Sequence, residues 1–359
     1  LKARLGIAVM LTPNIKNLVL SLTGQCNFAC RYCYAAEHNK EMMSVETALA
    51  AIKLAVSSLP QGEKFIIQFS GGEPLINFKV LHAVVSYVQK NNVPAILQIQ
   101  TNSSLLTDPI AQYLFKNKVG IGVSLDGKPS VNDKLRLTKD GKGATEQILQ
   151  GLEVLRRNNI ACGLTCVVTA DNVGELSGIV DMAYFLGNVR RIGFDLLRGQ
   201  GRGGGLVPPT EAEMAQAMEQ VYLRNEMLGK LAGYEIKIAQ QERAKLVGAE
   251  CGRQFGHCYA MNGEAAFVEA SGKIYACSSL IGNEDFYIGN VVDGLDKALV
   301  EKVSRKITSS MHFCKECSDF KQCGGGCFAR WYGSGELSAY KSECAMKRIA
   351  IKMIGESEK

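Results

Sequence analysis

Between residues 17 and 232, short β-branched or apolar runs alternate with longer segments of helical period, which predicts βα units around a parallel sheet. The expected strands are Leu18 to Leu22, Phe65 to Phe69, Ile96 to Thr101, Gly120 to Leu125, Ile160 to Thr169 and Arg191 to Leu197. A helical pattern follows each of them. Phe78, Leu81, Val85 and Val88 share one face, as do Ile148, Leu152 and Leu155, so each helix has an apolar stripe to lay on the sheet. Ser44 is placed to cap a helix, and Thr210, three residues before Glu213 and just after Pro208-Pro209, has the form of a capping box. Six βα units are two fewer than a closed eightfold barrel needs. The expected fold is therefore α/β, a partial (β/α)6 TIM-like barrel open along one side, with its ligand chemistry at the C-terminal ends of the strands.

Composition narrows the class. The chain has 359 residues, 47% hydrophobic and 21% charged, with a mean hydropathy of +0.01, enough apolar material for a large core in two or three lobes. No run approaches the roughly 18 apolar residues of a bilayer span, and no basic-then-apolar export signal opens the chain, so it reads as a cytoplasmic protein without a membrane partner. The net charge of +6 is mild and scattered, which gives no phosphate-neutralising face for nucleic acid. The outlying number is 13 cysteines. An odd count without an export signal argues for metal ligation by thiolates rather than a disulfide framework. Beyond about residue 250 the regular alternation stops, and cysteines, glycines and a short hairpin signal at Ala270-Ser271-Gly272-Lys273 replace it. That is the pattern of a lobe held together by metal.

Cys26-Asn27-Phe28-Ala29-Cys30-Arg31-Tyr32-Cys33 follows directly on the first strand, so three thiolates project from one loop at the mouth of the barrel. A four-iron cube takes four ligands, and supplying three leaves one iron open to something that is not protein. A zinc knuckle borrowing a distant fourth ligand is the plain structural alternative. The motif resembles the signature of the radical S-adenosylmethionine (SAM) enzymes, and further positions agree in register with it. The resemblance implies that Tyr32 of the loop belongs to the cofactor site, and that Gly71-Gly72-Glu73-Pro74 after strand two meets the methionine amino group, with the Glu73 carboxylate facing the ammonium. It implies that Asn102 and Ser124 contact methionine and ribose, that Arg136 pairs with the methionine carboxylate, and that Val168 and Leu196 form apolar walls for adenine. The implied chemistry is one-electron cleavage of SAM and hydrogen abstraction by a 5′-deoxyadenosyl radical. The resemblance covers about residues 17 to 200.

Downstream, Cys258, Gly272 and Cys277 are followed by Cys314-x2-Cys317-x5-Cys323-x3-Cys327 and then Cys344. The pattern is similar to the SPASM domain of radical SAM enzymes that modify peptides and proteins. The resemblance implies two auxiliary 4Fe-4S clusters, three clusters in all: one ligated by Cys251, Cys258, Cys277 and Cys327, the other by Cys314, Cys317, Cys323 and Cys344. Two closed zinc sites are the alternative, since sulfur ligands alone do not distinguish the metals. The expected division is an N-terminal segment 1–16, a barrel 17–205, a helical linker 206–250 that completes it, and a SPASM domain 251–359. Cys162 and Cys166, four apart on strand five, share a face and read as small buried residues; the sharper alternative is a hydrogen-atom donor, as in radical epimerases. His257 reads as a residue outside the ligand set. The glycine-rich stretch Gly199 to Gly205, with Arg198 and Arg202, reads as a flexible connector, the alternative being a loop that touches an anionic group.

Anaerobic sulfatase maturases carry an aspartate after the third auxiliary cysteine as proton acceptor, whereas Ser278 follows Cys277 here, and a serine hydroxyl is a poor base. The expectation is thus a radical SAM maturase that oxidatively cross-links a ribosomally synthesised peptide through a thioether, carbon-carbon or carbon-oxygen bond. A peptide epimerase and a formylglycine-forming maturase are the alternatives within the family, and a non-enzymatic iron-sulfur electron carrier is the alternative of another class. No catalytic base is assigned. The expected partners are the peptide and a reducing donor such as flavodoxin or ferredoxin. About sixteen residues precede the first strand and the chain opens at Leu1, so leader recognition is expected on the barrel or SPASM surface or on a separate protein.

Overall fold

A computed structural model describes residues 14–249, 258–311, 314, 316–334 and 338–357. The strands β1 (Asn17–Ser21), β2 (Phe65–Ser70), β3 (Ala95–Thr101), β4 (Gly120–Ser124), β5 (Cys162–Val168) and β6 (Val189–Leu196) pair in parallel, each with the next. Between them run α1 (Val45–Ser57), α2 (Phe78–Lys90), α3 (Asp108–Lys116), α4 (Pro129–Leu135), α5 (Thr145–Arg157) and α6 (Ser177–Leu186). The partial sixfold barrel expected from the alternation is present.

Strands of a parallel sheet buried on both faces are usually apolar throughout, yet here they alternate. In β2 Phe65, Ile67 and Phe69 are buried, and in β5 Cys162, Leu164, Cys166 and Val168. These residues share one continuous core with Leu81, Val84 and Val85 of α2 and Ile148, Leu152 and Leu155 of α5. The intervening positions, Gln68, Gln98, Gln100 and Thr165 among them, face a polar cavity on the inner side of the sheet. Alternation is the mark of a sheet that encloses something wet.

Two features differ from the expectation of a barrel followed by a separate metal-held lobe. β7 (Lys237–Ile238) adds a further parallel strand to β6. On the other edge β8 (Ala265–Val268) lies parallel to β1, pairing Asn17 with Ala265 through Leu20 with Val268, and β9 (Lys273–Tyr275), β10 (Tyr287–Asn290) and β11 (Gly294–Leu295) extend the sheet antiparallel. Pairing between segments so distant in sequence has no local signature, which is why the alternation did not announce it. The hairpin expected at 270–273 joins β8 to β9, with Gly272 at φ 89°, a conformation open to glycine.

After β6 the chain forms α7 (Glu211–Ala232) and α8 (Ala239–Ala249), and in the C-terminal lobe α9 (Lys297–Ser310) and a last helix, Ser338–Ser357, that packs along α7 and α8. Lys352 and Glu219 pair across that contact at 3.2 Å. No described helix is long and apolar enough to cross a membrane. Ser44 caps α1 by accepting from the Thr47 N–H at 3.0 Å. The capping box of α7 is complete: Thr210 Oγ1 accepts from Glu213 N–H at 3.3 Å while the Thr210 N–H donates to the Glu213 carboxylate at 2.8 Å. Thr210→Ala should therefore cost about 1 kcal/mol, seen as a lower denaturation midpoint that Thr210→Ser largely restores; an unchanged midpoint would mean that α7 is held by its packing alone.

Candidate functional site

The loop after β1 that carries Cys26, Cys30 and Cys33 has no regular hydrogen bonding of its own, so its neighbours must hold its shape. The Gly72 and Glu73 N–H groups donate to the Thr23 and Gln25 carbonyls at 2.7 and 2.8 Å. A Cβ at Gly71 would meet the Thr23 oxygen at 2.3 Å, and one at Gly72 the Gln25 oxygen at 2.2 Å. Only glycine permits that approach. From another side the Ala29 and Arg31 N–H groups donate to the Leu137 and Leu135 carbonyls at 2.6 and 2.8 Å. The glycine-rich segment closes a third side. Arg202 donates from Nε to the Cys30 carbonyl at 2.8 Å and from its backbone to the Cys33 carbonyl at 3.1 Å, while Gly201, at φ 55°, leaves no room for a Cβ beside the Cys33 oxygen. That stretch is more than a slack connector. It clamps the cysteine loop.

The three thiols face a cavity of about 400 Å³ at the C-terminal ends of the strands. Its walls include Cys26, Cys30, Tyr32, Cys33, Gly71, Gly72, Asn102, Ser124, Arg136 and Leu196, so the structure brings together most of the residues expected there. Asn102 Nδ2 approaches Cys26 Sγ at 3.8 Å, and Ser124 accepts from Gln100 Nε2 at 2.8 Å. Burial raises Cys26 and pushes the Cys30 thiol up to about 12. Thiols so placed become thiolates only beside positive metal. No three Cys, His, Asp or Glu side chains among the described residues gather tightly enough for a single ion. A cube, with one thiolate on each of several irons, suits a wider spacing and an open side toward the cavity.

Three expected contacts sit elsewhere. Glu73 does not line the cavity: it is fully buried, and its carboxylate accepts from Leu75 N–H at 3.1 Å, Thr101 Oγ1 at 2.7 Å and Asn102 N–H at 2.8 Å. It fastens the loop after β2 to the end of β3. Pro74 is buried at the start of a short helical turn. Val168 lies on the helix side of β5, and by the twofold alternation its neighbour Val167 takes the cavity wall. The same alternation puts Cys162 and Cys166 in the core, away from the cavity, which removes them as hydrogen-atom donors to anything bound there.

Arg136 is largely committed inside the protein. It forms a buried pair with Asp126 at 3.0 and 3.1 Å, and Tyr32 donates from its hydroxyl to the same carboxylate at 2.5 Å. Asp126, unassigned in the sequence, anchors this group; the signal was its place in Leu125-Asp126-Gly127 at the end of β4. Asp195 at the end of β6 also escaped notice, and Arg198 was read only as part of the glycine-rich stretch. Both line the first cavity and a second one of about 610 Å³, whose walls come from the inner sheet, α8 and the C-terminal lobe, Tyr259, Arg330 and Lys347 included. Asn17, Gln68 and Thr165 are shared as well, so the two cavities are one lumen.

In the C-terminal lobe the thiols fall into two neighbourhoods. Cys258, Cys277 and Cys327 lie within one another's electrostatic reach, as do Cys314, Cys323 and Cys344 with Cys317. This is the partition expected for two sites; Cys251 and His257 lie outside the described residues. Ser278, after Cys277, reaches the first cavity beside Tyr34.

Residues 20–183 match the model of the Radical SAM superfamily. An uncharacterized protein of Methanocaldococcus jannaschii is 34% identical over 299 residues, 82% of this chain and 95% of its own. The radical SAM cyclopropyl synthase TigE of Paramaledivibacter caminithermalis is 26% identical over 370 residues, 96% of this chain and 75% of its own. Among solved structures, native anSMEcpe with bound AdoMet and Cp18Cys peptide shares the fold with a TM-score of 0.78 at 21% identity, over 95% of this chain and 98% of that one.

Glu73→Ala leaves three buried donors without an acceptor, which should cost roughly 2 to 4 kcal/mol of stability before any cofactor is added. Chemical denaturation of the metal-free protein checks this; an unchanged midpoint would return Glu73 to a cofactor-only role. Burial pushes its carboxyl up to about 7 against three hydrogen bonds that lower it. A carboxyl raised on folding stabilises most below its ordinary value near 4.5, and that contribution is lost as pH rises through about 7. Glu73→Gln should flatten the profile across that window.

Proposed function

The chain belongs to the radical SAM superfamily, and on that premise we propose that it is a peptide maturase that closes an oxidative cross-link within a ribosomally made peptide, most specifically a carbon-carbon bond. The observation that carries the reading is the continuous lumen: a cavity under an incompletely ligated cysteine loop opens into a larger one walled by a lobe with two further groups of thiols. With SAM in the first cavity, a small metabolite would leave most of the second idle, whereas a peptide segment is long enough to occupy it. TigE, a cyclopropyl synthase by name, supports bond formation between carbons, and the peptide in the anSMEcpe structure supports the substrate class.

When bound, a cluster on Cys26, Cys30 and Cys33 together with SAM would supply one-electron cleavage and hydrogen-atom abstraction, and clusters on the C-terminal cysteines would provide an acceptor for the electron left once the substrate has lost a hydrogen atom and a proton. The residues of this chain do the rest. The Gly71-Gly72 backbone, Asn102, Ser124 and the cavity side of Arg136 would hold the polar ends of SAM, and Val167 and Leu196 its adenine. Asp126 and Tyr32 fix Arg136 so that it needs no rearrangement on binding. The sets Cys251, Cys258, Cys277, Cys327 and Cys314, Cys317, Cys323, Cys344 would hold the auxiliary clusters. Flavodoxin or ferredoxin is the proposed donor.

A formylglycine reaction is disfavoured by the cavity's acid-base groups. Ser278 stands where a carboxylate would be wanted, and Asp195 is the only carboxylate among the described residues of the first cavity. Burial alone would raise Asp195, but Arg198 and Arg330 outweigh it and hold it low, so it is a weak base.

Anaerobically reconstituted protein should hold about twelve irons, four per cube, and replacing Cys26, Cys30 and Cys33 together by alanine should remove a third of them and end 5′-deoxyadenosine formation. Incubation with peptides encoded by short reading frames beside its gene, followed by mass spectrometry, should yield a product two hydrogens lighter. A product of unchanged mass with an inverted α-carbon would replace cross-linking by epimerisation.

A further inference from the structure

At the junction of barrel and C-terminal lobe, buried charges form a ladder. Asp195 of β6 takes Arg198 at 2.9 Å and Arg330 at 2.6 Å. Arg330 reaches on to Glu343, which also pairs with Lys347 at 3.3 Å and accepts from the Cys327 N–H at 3.0 Å. Arg330 and Glu343 are among the most buried polar residues, at 6% and 1% exposure. Among the described residues of this ladder three cations stand against two carboxylates, an excess of one positive charge, and an unbalanced ion in a largely buried place is costly. The Nε atoms of Arg198 and Arg330 are buried and have no hydrogen-bond partner among the described residues. Both side chains lie within electrostatic reach of Cys327, and Arg198 of Cys277 as well.

We propose that Arg198 and Arg330, held by Asp195 and Glu343, donate N–H groups to the iron-sulfur cluster of Cys258, Cys277 and Cys327 and set its reduction potential. A four-iron cube on thiolates is an anion, so it supplies the missing negative charge and the acceptors that the two Nε atoms lack. Hydrogen bonds to cluster sulfur and nearby positive charge stabilise the reduced state and raise the potential. Because Asp195 also walls the lumen, one residue fixes both the cavity and the donors to the cluster. Arg198 and Arg330 are positioning residues toward that cluster and need no contact with the peptide. The inference rests on the proposed auxiliary clusters.

The test is a redox titration of reconstituted protein followed by electron paramagnetic resonance, in the Cys26, Cys30 and Cys33 alanine background so that only auxiliary signals remain, and without peptide or SAM. Arg330→Met should keep the full auxiliary iron and shift one of the two signals to a more negative potential, leaving the other near its original value; Arg330→Lys should recover part of the shift by restoring charge without the planar fork. Lys347→Met, which lies by Cys314 and Cys323, should shift the other signal. Full iron with unmoved potentials in Arg330→Met would overturn the proposal, and so would loss of auxiliary iron from that variant with the fold retained, because Arg330 would then serve assembly only. Background protein without auxiliary iron would sink this inference together with the proposed function, whereas a wild-type iron count of about twelve with unmoved potentials sinks the inference alone.

Discussion

A loop that must present three thiols to an open cavity cannot spend those side chains on its own folding. That constraint organises the structure. The segment from Cys26 to Cys33 is held by its backbone, through Gly72 and Glu73 from the end of β2, Leu135 and Leu137 from the region after β4, and Gly201 and Arg202 from the region after β6. Each clamp comes from a segment that follows the C-terminal end of a strand, with Leu135 and Leu137 reached only after α4, on the side where a parallel sheet gathers its loops. The glycines at 71, 72 and 201 are needed less for flexibility than for proximity, since a Cβ at any of them would strike a carbonyl of the cysteine loop or of the residues that lead into it.

Buried carboxylates do the second share of this positioning, and each is held in a different way. Asp126 is fixed by Arg136 and Tyr32, and it also accepts from the Val167 N–H at 2.8 Å, which couples the ends of β4 and β5. Glu73 has no cation beside it among the described residues and lives on three hydrogen bonds, which explains why burial still raises its pKa. Asp195 lies between two arginines and is driven the other way. The acids at the ends of β2 and β6 are therefore unequal as proton carriers: the one raised toward neutrality is walled off from the lumen, and the one that faces it is held ionised.

The repeating part of the fold was legible because burial on one face and a wet lumen on the other left a clear alternation, as in Phe65, Ile67 and Phe69 against Gln68. The cysteine spacing and Gly71-Gly72 were legible because only particular residues satisfy them. Legibility ended where partners are distant in sequence. β8 pairs with β1 across more than two hundred residues, and nothing local in Ala265 to Val268 says so. Phase was the other loss: an error of one position separates Val168 in the core from Val167 on the cavity wall. The inward hydrogen bonds of Glu73 were hidden for a related reason, since the sequence of a turn gives no sign of which backbone donors its carboxylate will meet.

The same distances bear on where one lobe ends and the next begins. A boundary near residue 205 or 250 is natural in the sequence, where composition changes, but it cuts through the physical unit. β8 supplies the neighbour that β1 lacks, the last helix covers α7 and α8, and Asp195 on β6 shares its charge with Arg330 beyond the supposed boundary. Arg198 and Arg330 repel each other, and the carboxylate between them is tolerable in burial only because both are present. Neither side of the junction can keep its charges dry without the other, so the barrel and the cysteine-rich lobe form one lumen whose electrostatics are decided at their contact.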